Sequence, residues 1–463
     1  MAKLSIIVWT HETDEIFYRW CLESINNQDY VDWELNILDE NYGERVFKMT
    51  DEFFPGDIRV RYKKLKNSKG GAYAYNIGTR FATGKYYLFL DQHDCIRDYS
   101  TLTTLIEKIE ENDDRNRIFY TDSTEMHGIK EEPDINPHYK NAFNKELLLR
   151  TPYMGDFVCI GEDAFKRIGE FNEKLNSAYI YDFLLRGLNN KDVKYVHIPG
   201  LYHRKRVIED VSAKERKKRN NKQFREAMTV AKAYFIRNNI KAKVTEDPRG
   251  VFWRVEYDGR EYRKKSNDYI VLRSPDVKVM TRHALEKLYG YLTIPDIAVV
   301  GVRFINGAFS IDNVGFIHDN NAIIYSAFHN QKMFLNGYEN LDVIPRDVSL
   351  VDEGFCILNA KYYRKLGGLD NRLCPREALL DYCIRAREHG LRTVVEPMVI
   401  ARHKNKKVIS SSDSHDAFME KHKELIWLGD PYYNPNLPLG MENNYKLEYE
   451  ADIVVKPTLE NLE

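Results

Sequence analysis

Two acidic residues stand directly after strand-like segments in the first hundred residues. Asp39 follows Trp33–Leu38, and Asp91 follows the apolar run Tyr86–Leu90. Short apolar runs of this kind are typical of buried parallel strands. Ligands of parallel α/β sheets bind at the carboxyl ends of the strands. Both carboxylates are therefore candidate ligand contacts.

The second of these acids opens the motif Asp91-Gln92-His93-Asp94. A carboxylate at a strand end can hold a divalent cation, and a cation bridging a diphosphate stabilises that group as it leaves. A solvated acidic turn would have the same short pattern. The motif by itself therefore indicates metal-assisted chemistry only weakly.

Residues that could hold a nucleoside diphosphate lie near Asp39 and before a predicted helix. The Asp39 carboxylate can accept hydrogen bonds from a base imide or from ribose hydroxyls. The segment Asn67–Gly71 leads into a helix that carries Asn76. Its glycines allow close backbone approach, and Lys69 can meet a phosphate. Helix capping would explain these residues equally well when each is taken alone.

The elements around these residues alternate between strand and helix. Strands are predicted at Leu4–Trp9, Trp33–Leu38, Val60–Leu65 and Tyr86–Leu90, and helices at Asp14–Asn27 and Gly70–Phe81. Such alternation predicts an α/β fold with a mostly parallel, Rossmann-like sheet and right-handed crossovers.

Composition limits the classes of protein to consider. The 463 residues predict two or three domains, and a net charge of −1 provides no field that would attract nucleic acid. The six cysteines form no C-x-x-C pair, which is typical of reduced thiols in a cytosol. We expect no signal peptide and no apolar stretch of roughly 18 residues that could span a bilayer. The expected location is cytoplasmic, with peripheral contact at the inner face of the membrane as an alternative.

One basic stretch bears on that alternative. It runs from His203 to Arg225 and merges into a predicted helix over Phe224–Asn238. A solvated helix face is the preferred interpretation, and contact with phosphates or an anionic membrane is the alternative.

The second half of the chain repeats part of the first. Phe165–Gly169 is followed by Asp182, Arg186 and His203, and Tyr363–Gly367 is followed by Asp381, Arg385 and His403. The spacings from Gly to Asp are 13 and 14 residues, and those from Asp to His are 21 and 22. This agreement indicates a degenerate internal duplication.

As an ordered set, these motifs resemble glycosyltransferase family 2, and the second half resembles that of tandem polysaccharide or rhamnosyl-type transferases. The matching segments are Ser5–Val8 with Thr10, His11 and Glu12; Leu22–Ile25 with Gln28, Tyr30 and Trp33–Leu35; Gly70–Gly78; Asp91–Asp94; Tyr202–Arg204; and, in the second half, Asp430–Asn436.

The resemblance implies a GT-A fold and an inverting, metal-dependent transfer from a nucleotide sugar to a hydroxyl. The implied donor is UDP- or dTDP-linked, and the acceptor is a glycan, a lipid-linked glycan or a glycoprotein. The implied metal ligands are Asp91, His93 and His203. The implied nucleotide-sugar contacts are Thr10, His11, Glu12, Asp39, Asn41, Lys69, Gly70, Asn76, Asp91 and Gln92.

The sequence departs from the family pattern at three places. His93 replaces the second acid of the metal motif, and imidazole favours Mn²⁺ over Mg²⁺. Ile180 stands where the family carries its catalytic acid, and Asp182 is the second acid of that run. The usual base is therefore missing, or it is supplied from elsewhere, such as by Asp156 or Asp122; the candidate catalytic residues are Asp182 and Asp156. In the second copy, Leu379 takes the same position as Ile180, and Ser274-Pro275-Asp276 replaces the metal motif.

The predicted organisation is a GT-A transferase domain at 1–215, a connector of helix and strand hairpin at 216–265, a truncated GT-A-like lobe at 266–440 and a tail at 441–463. The second lobe is expected to be non-catalytic. The predicted function is glycosyl transfer in cell-surface polysaccharide or glycoconjugate synthesis, with self-association left open. The alternative is an impaired pseudo-glycosyltransferase that acts as a binding or scaffold subunit.

Overall fold

The structure is a computed structural model that describes residues 3–66, 69–111, 114–126, 135–207, 213–262, 267–307, 309–405, 409–440 and 444–447, with the backbone alone for 135 and 213–219. Asn67, Ser68 and most of the predicted tail lie outside these ranges. The chain forms two compact units: the first comprises Met1–Phe143 and Thr151–Tyr234, and the second comprises Asn144–Arg150 and Phe235–Glu463. None of the helices described is long and apolar enough to cross a membrane.

The first unit is built on one mixed sheet. Its strands are β1 Leu4–Thr10, β2 Trp33–Asp39, β3 Val60–Lys64, β4 Tyr86–Asp91, β5 Cys95–Ile96, β6 Arg117–Met126, β7 Ile135–His138, β8 Val158–Gly161 and β9 Lys194–Arg206. Their order is β3-β2-β1-β4-β8-β6-β9-β5, with β7 paired to β6. The first four strands are parallel, whereas β8 runs antiparallel to both β4 and β6. The strands predicted from the sequence are confirmed to within two residues at each end.

Helices follow the strands of this unit as predicted. They are α1 Glu15–Asn26, α2 Arg45–Phe53, α3 Gly71–Phe81, α4 Thr101–Glu110, α6 Glu162–Ile168 and α7 Tyr179–Gly187, while α5 Lys145–Leu148 belongs to the second unit. Asp14 caps α1 by accepting hydrogen bonds from the amides of Ile16 and Phe17. The buried residues of α1, Tyr18 and Leu22 among them, pack into the main core of this unit.

The basic stretch beginning at His203 differs from the prediction. His203–Arg206 is the end of strand β9, and the helix that follows, α8, spans Ala213–Arg237. Because His203–Arg206 is part of a strand, the charges of the whole stretch do not form one helix face. The side chains of Lys214 and Arg216–Arg219 lie outside the described part.

The second unit contains a smaller mixed sheet and two hairpins. Its strands are β10 Ala242–Glu246, β11 Trp253–Tyr257, β12 Tyr269–Arg273, β13 Val277–Val279, β14 Ile297–Ile305, β15 Ile311–Asn313, β16 Phe316–His318, β17 Ile324–Ser326, β18 Arg346–Asp347, β19 Phe355–Asn359 and β20 Arg392–His403. Its helices are α9 Ala284–Tyr289, α10 Ala360–Lys365, α11 Pro375–Glu388 and α12 Ser412–Trp427, with 3₁₀ turns at Tyr291–Thr293 and Tyr338–Asn340.

The sheet of the second unit repeats the later part of the first sheet. The order β4-β8-β6-β9-β5 in the first unit corresponds to β12-β19-β14-β20-β13 in the second. The directions agree too, because β8 and β19 run antiparallel to β6 and β14, whereas β9 and β20 run parallel to them. The second sheet has no counterpart of β1–β3 within the described residues. It is therefore a shorter version of the first sheet.

An arginine clasp marks the repeat at side-chain level. Arg186 donates to Asp182 at 2.8 Å and to the carbonyl of Ile168 at 2.7 Å. Arg385 donates to Asp381 at 2.9 Å and also to the Leu366 carbonyl. Each arginine therefore fixes the loop after the short helix α6 or α10 to the helix that follows it.

Candidate active site

The carboxyl ends of the first four strands form one edge of the first sheet. The parallel registers pair Thr10 with Asp39 and Trp9 with Asp91. Asp39 also pairs with Lys64 at the end of β3. The prediction that Asp39 and Asp91 lie at the carboxyl ends of parallel strands is confirmed, and β1 lies between these two strands.

Asp39 is fully buried and its carboxylate has several partners. One oxygen accepts hydrogen bonds from Thr10 at 2.9 Å and from the amide of Asn41 at 2.8 Å, and the other accepts from Lys64 at 2.7 Å and from the Tyr62 hydroxyl. Burial alone would raise the pKa of Asp39, but the hydrogen bonds from Lys64, Tyr62 and Asn41 hold it below its usual value. Asp39 is thus kept ionised and aligned, and a ligand here must share it with these donors.

The loop after β1 is held by a polar network. Asn41 accepts from the Thr13 amide at 3.0 Å, and Gln92 donates to the His11 carbonyl at 2.6 Å. His11 stacks on Trp9, with ring centroids 5.5 Å apart and an interplanar angle of 7°. Glu12 is exposed with a φ of 47°. Asn41 and Gln92 therefore position the loop, and His11 and Glu12 are its accessible side chains.

The start of α3 combines one accessible residue with buried ones. Lys69 is exposed, its ammonium lies 4.6 Å from the Tyr73 ring centroid, and Gly70 has a φ of +88°. Asn76 is buried and makes two hydrogen bonds with the backbone of Phe171. Lys69 can therefore reach a ligand, whereas Asn76 holds the loop after α6.

Asp91 and His93 form a pair at the end of β4. One oxygen of Asp91 accepts from the His93 amide at 2.9 Å and lies 3.1 Å from its Nδ1. The Asp91 side chain is 50% exposed, so its other oxygen is within reach of a ligand. Burial opposes ionisation, but the hydrogen bonds and charge of His93, with the charge of Lys205, lower the pKa of Asp91. This donor set fits a divalent cation with access to solvent.

His203, the third predicted metal ligand, lies beside Asp94. Its Nε2 lies 2.8 Å from Asp94 Oδ2, and its ring stacks on Phe157 at a centroid distance of 4.7 Å. Among the residues described, Asp91, His93 and His203 do not form a group with ligand atoms within 4.8 Å of one another. The structure therefore pairs His93 with Asp91 and His203 with Asp94.

Asp156 lies in the same neighbourhood, just before β8. Because β8 runs antiparallel to β4 with Phe89 opposite Val158, continuing this register by two residues brings Asp156 beside Asp91. The Asp156 side chain is 64% exposed, and its Oδ2 lies 3.8 Å from Nζ of Lys205. The Asp156 carboxylate, with those of Asp94 and Asp91, raises the pKa of Lys205. Lys205 is a site residue that the sequence reasoning missed, although it shares a strand face with His203.

The other two candidate bases are buried in structural contacts. Asp182 is 3% exposed and bonded to Arg186 in the clasp. Asp122 is fully buried and accepts from the amides of Lys140 and Gly200, and it lies 2.7 Å from His197 Nε2. Neither carboxylate has the solvent access that Asp156 has.

Part of the chain matches a known protein family. Residues 5–167 match the family model Glycosyl transferase family 2. A teichoic acid poly(glycerol phosphate) polymerase of Staphylococcus epidermidis is 27% identical over 203 residues, which cover 43% of this chain and 28% of that protein. A GalNAc(5)-diNAcBac-PP-undecaprenol beta-1,3-glucosyltransferase of Campylobacter jejuni is 27% identical over 177 residues, which cover 38% of this chain and 56% of that protein. The chain thus spans only part of the length of these relatives.

Solved structures also align with about half of the chain. S. aureus TarS 1-349 in complex with UDP-GlcNAc has a TM-score of 0.39 and 18% identity, covering 50% of this chain and 66% of that one. The mannosyltransferase PcManGT from Pyrobaculum calidifontis, in complex with GDP-Man and Mn2+, has a TM-score of 0.39 and 15% identity, covering 50% and 64%. With the family match and the strand order above, residues 5–167, most of which lie in the first unit, form a glycosyl transferase family 2 domain of GT-A fold.

Proposed function

We propose that the chain transfers a sugar from a UDP- or dTDP-linked donor to a hydroxyl of a glycan, lipid-linked glycan or glycoprotein. The observation that carries this proposal is the juxtaposition of three groups at one sheet edge. These are the ionised Asp39 beside the first loop, the accessible Asp91–His93 pair, and the exposed Asp156. The likeness to a teichoic acid poly(glycerol phosphate) polymerase and to a GalNAc(5)-diNAcBac-PP-undecaprenol beta-1,3-glucosyltransferase supports a role for this chain in cell-surface polysaccharide or glycoconjugate synthesis.

Different residues of this sheet edge bind different parts of the donor. Asp39 and the loop carrying His11 and Glu12 hold the nucleoside, and Lys69 approaches the phosphates. Asp91 and His93 would hold the divalent cation, with Mn²⁺ preferred over Mg²⁺ because one ligand is an imidazole. When bound, the cation neutralises charge on the leaving diphosphate.

Asp156 is the proposed base. It accepts the proton of the acceptor hydroxyl while that oxygen bonds to the anomeric carbon and the bond to the diphosphate oxygen breaks. Attack from the face opposite the diphosphate inverts the anomeric carbon. Nζ of Lys205 lies 3.8 Å from Asp156 Oδ2, so Lys205 is placed to orient this carboxylate toward the acceptor.

Turnover of a nucleotide sugar tests the proposal. The protein is incubated with a panel of UDP- and dTDP-sugars and Mn²⁺, and release of the nucleoside diphosphate is measured for wild type and Asp91→Asn. We expect release from at least one donor and a loss of at least 100-fold in the variant. Binding of a donor without release by the wild type, with or without candidate acceptors, would favour the scaffold alternative. That alternative draws support from Ile180 at the usual acid position and from the engagement of Asp182 in the clasp.

A further inference from the structure

Three side chains of the second unit converge at the end of strand β20. His403 ends this strand, Asp312 lies in β15, and Asp352 precedes β19. One ligand atom of each lies within 4.8 Å of the other two, and no other such set of His, Cys, Asp and Glu occurs in the described part of the chain. Asp352 is fully buried, and Asp312 is 14% exposed at its side chain.

The histidine in this group is held as a metal ligand requires. Its Nδ1 lies 3.2 Å from Asp276, its Nε2 lies 3.1 Å from Asp352, and its ring stacks on Phe304 at 4.6 Å. Histidines that bind metals usually donate their other ring N–H to a carboxylate, which fixes the tautomer and orients the ring. Asp276 supplies that carboxylate and leaves Nε2 directed at Asp352.

A fourth oxygen donor lies beside the group. Asn313 is fully buried, and its Nδ2 donates to Asp352 Oδ2 at 2.8 Å. The amide oxygen of Asn313 is buried without a hydrogen-bond partner in the described structure. A buried amide oxygen without a partner is costly, and a cation at this place would satisfy it.

A strand irregularity explains how consecutive residues reach the same site. Phe304 of β14 pairs with Asn313 of β15, but the next residue, Ile305, pairs with Ile311. Asp312 is therefore an extra residue in β15. Such a bulge breaks the alternation of side chains between the two faces. Asp312 and Asn313 can therefore both approach Asp352.

We propose that Asp312, Asp352, His403 and Asn313 form a binding site for a first-row divalent metal ion in the second unit. One imidazole among carboxylate and amide oxygens suits Mn²⁺ or Zn²⁺ better than Mg²⁺. His403 and its partner Asp276 repeat the pair formed by His203 and Asp94 in the first unit, since Asp276 precedes β13 as Asp94 precedes β5.

The role of this metal is structural. Gly354, two residues after Asp352, is the repeat counterpart of Asp156, and a Cβ there would lie 2.6 Å from the ring of His403. The unit therefore offers no base at this position, and its sheet has no described counterpart of β1–β3. The ion would join β15, β19 and β20 without taking part in transfer.

Binding of the metal alone, without nucleotide, tests the proposal on the full-length protein. Mn²⁺ is titrated and followed by electron paramagnetic resonance, and Zn²⁺ by calorimetry, for wild type, Asp312→Asn, His403→Gln and Asp91→Asn. Asp312→Asn is the main variant, because the Asp312 side chain is partly exposed and asparagine has nearly the same shape as aspartate. The fold of this variant should therefore persist. Circular dichroism confirms folding for each variant.

We expect one ion that wild type and Asp91→Asn bind equally and that Asp312→Asn and His403→Gln bind at least 10-fold more weakly. The ion should also raise the melting temperature of Asp91→Asn but not that of the double variant Asp91→Asn/Asp312→Asn. Equal affinity in wild type and Asp312→Asn, or loss of the ion in Asp91→Asn alone, would overturn the proposal. Because Asp91→Asn lacks the proposed donor-site metal, failure here is separable from failure of the proposed transferase activity.

Discussion

Nζ of Lys205 lies 3.8 Å from Oδ2 of Asp156, and both side chains are more than half exposed beside the end of β4. An exposed ion pair of this kind contributes little to stability. Its place next to Asp91 therefore indicates a role in binding or chemistry.

The first prediction concerns Asp156 as the base. Asp156→Asn should lower the rate of transfer by about 100- to 10,000-fold, the usual contribution of a general base, while donor affinity stays unchanged. Asp192→Asn is the matched control, because the Asp192 side chain is also 64% exposed and paired with an arginine. Steady-state kinetics with an acceptor measure both variants, and equal rates in Asp156→Asn and Asp192→Asn would exclude Asp156.

The second prediction concerns Asp39 and the nucleoside. Asp39→Ala should weaken binding of the nucleoside diphosphate by about 1.5–3 kcal/mol, the scale of a hydrogen bond to a charged group. Because Asp39 also accepts from Tyr62 and Lys64, the variant should in addition unfold at a lower temperature. Tyr62→Phe separates the two effects, since it removes one donor to Asp39 and keeps the carboxylate. Unchanged calorimetric affinity in Asp39→Ala would remove it from the site.

The third prediction concerns metal choice. Wild type should turn over faster with Mn²⁺ than with Mg²⁺, and His93→Asp should shift the preference toward Mg²⁺ because an all-oxygen site suits the harder ion. His203→Gln should change this preference less, since His203 contacts Asp94 and not Asp91. Rates with both metals are compared for the three proteins. Full activity in EDTA, or identical metal profiles for wild type and His93→Asp, would contradict the assignment.

The sequence predicts the sheet edge well because the evidence for it is local. Apolar runs ending at Asp39 and Asp91 fix both strand and direction, so the two carboxylates could be placed at one edge before the structure was known. The contacts of Asp182 and His203 could not be predicted, because the pattern shows a residue type but not its partner. Lys205 was missed for the same reason: its partner Asp156 is 49 residues away in the chain.

The fourth prediction concerns Glu226 on α8, which caps another helix. It accepts from the amides of Asn176, Ser177 and Ala178, directly before α7. Burial would raise its pKa, but these hydrogen bonds, together with that from the Ser177 hydroxyl, lower it from 4.5 to about 2. Because the folded pKa is the lower one, this stabilisation is present above the unfolded value near 4.5 and is lost as the pH falls toward 2.

Glu226→Gln should therefore lower the free energy of unfolding by about 1 kcal/mol at pH 7, the scale of a helix cap at a partly exposed site. The difference from wild type should shrink between pH 5 and pH 3. Urea unfolding at pH 7, 5 and 3 measures it. A difference that stays constant over this range would show that the charge of Glu226 does not act on α7.

The last prediction concerns Glu146. In the sequence it lies between strands of the first unit, but it is part of the second unit. Its carboxylate is fully buried, bonded to Arg150 at 2.5 Å, to Tyr257 at 2.8 Å and to Arg392 at 3.1 Å. Burial would raise the pKa of Glu146, but the charges of Arg150 and Arg392 keep it low. Removing one member of such a buried network leaves uncompensated charge and costs about 3–5 kcal/mol.

Glu146→Gln should destabilise the second unit by that amount although no sequence pattern links residue 146 to it. Glu162→Gln is the control, because Glu162 is partly exposed and belongs to the first unit. Hydrogen exchange followed by mass spectrometry locates the effect, which should appear in β14 and β20 before it appears in β1–β4.

A fragment beginning at residue 266 lacks Glu146 and Arg150, so it should unfold more readily than one that begins at residue 144. Equal stability of the two fragments, or protection in β14 and β20 that Glu146→Gln leaves unchanged, would contradict the role of this network.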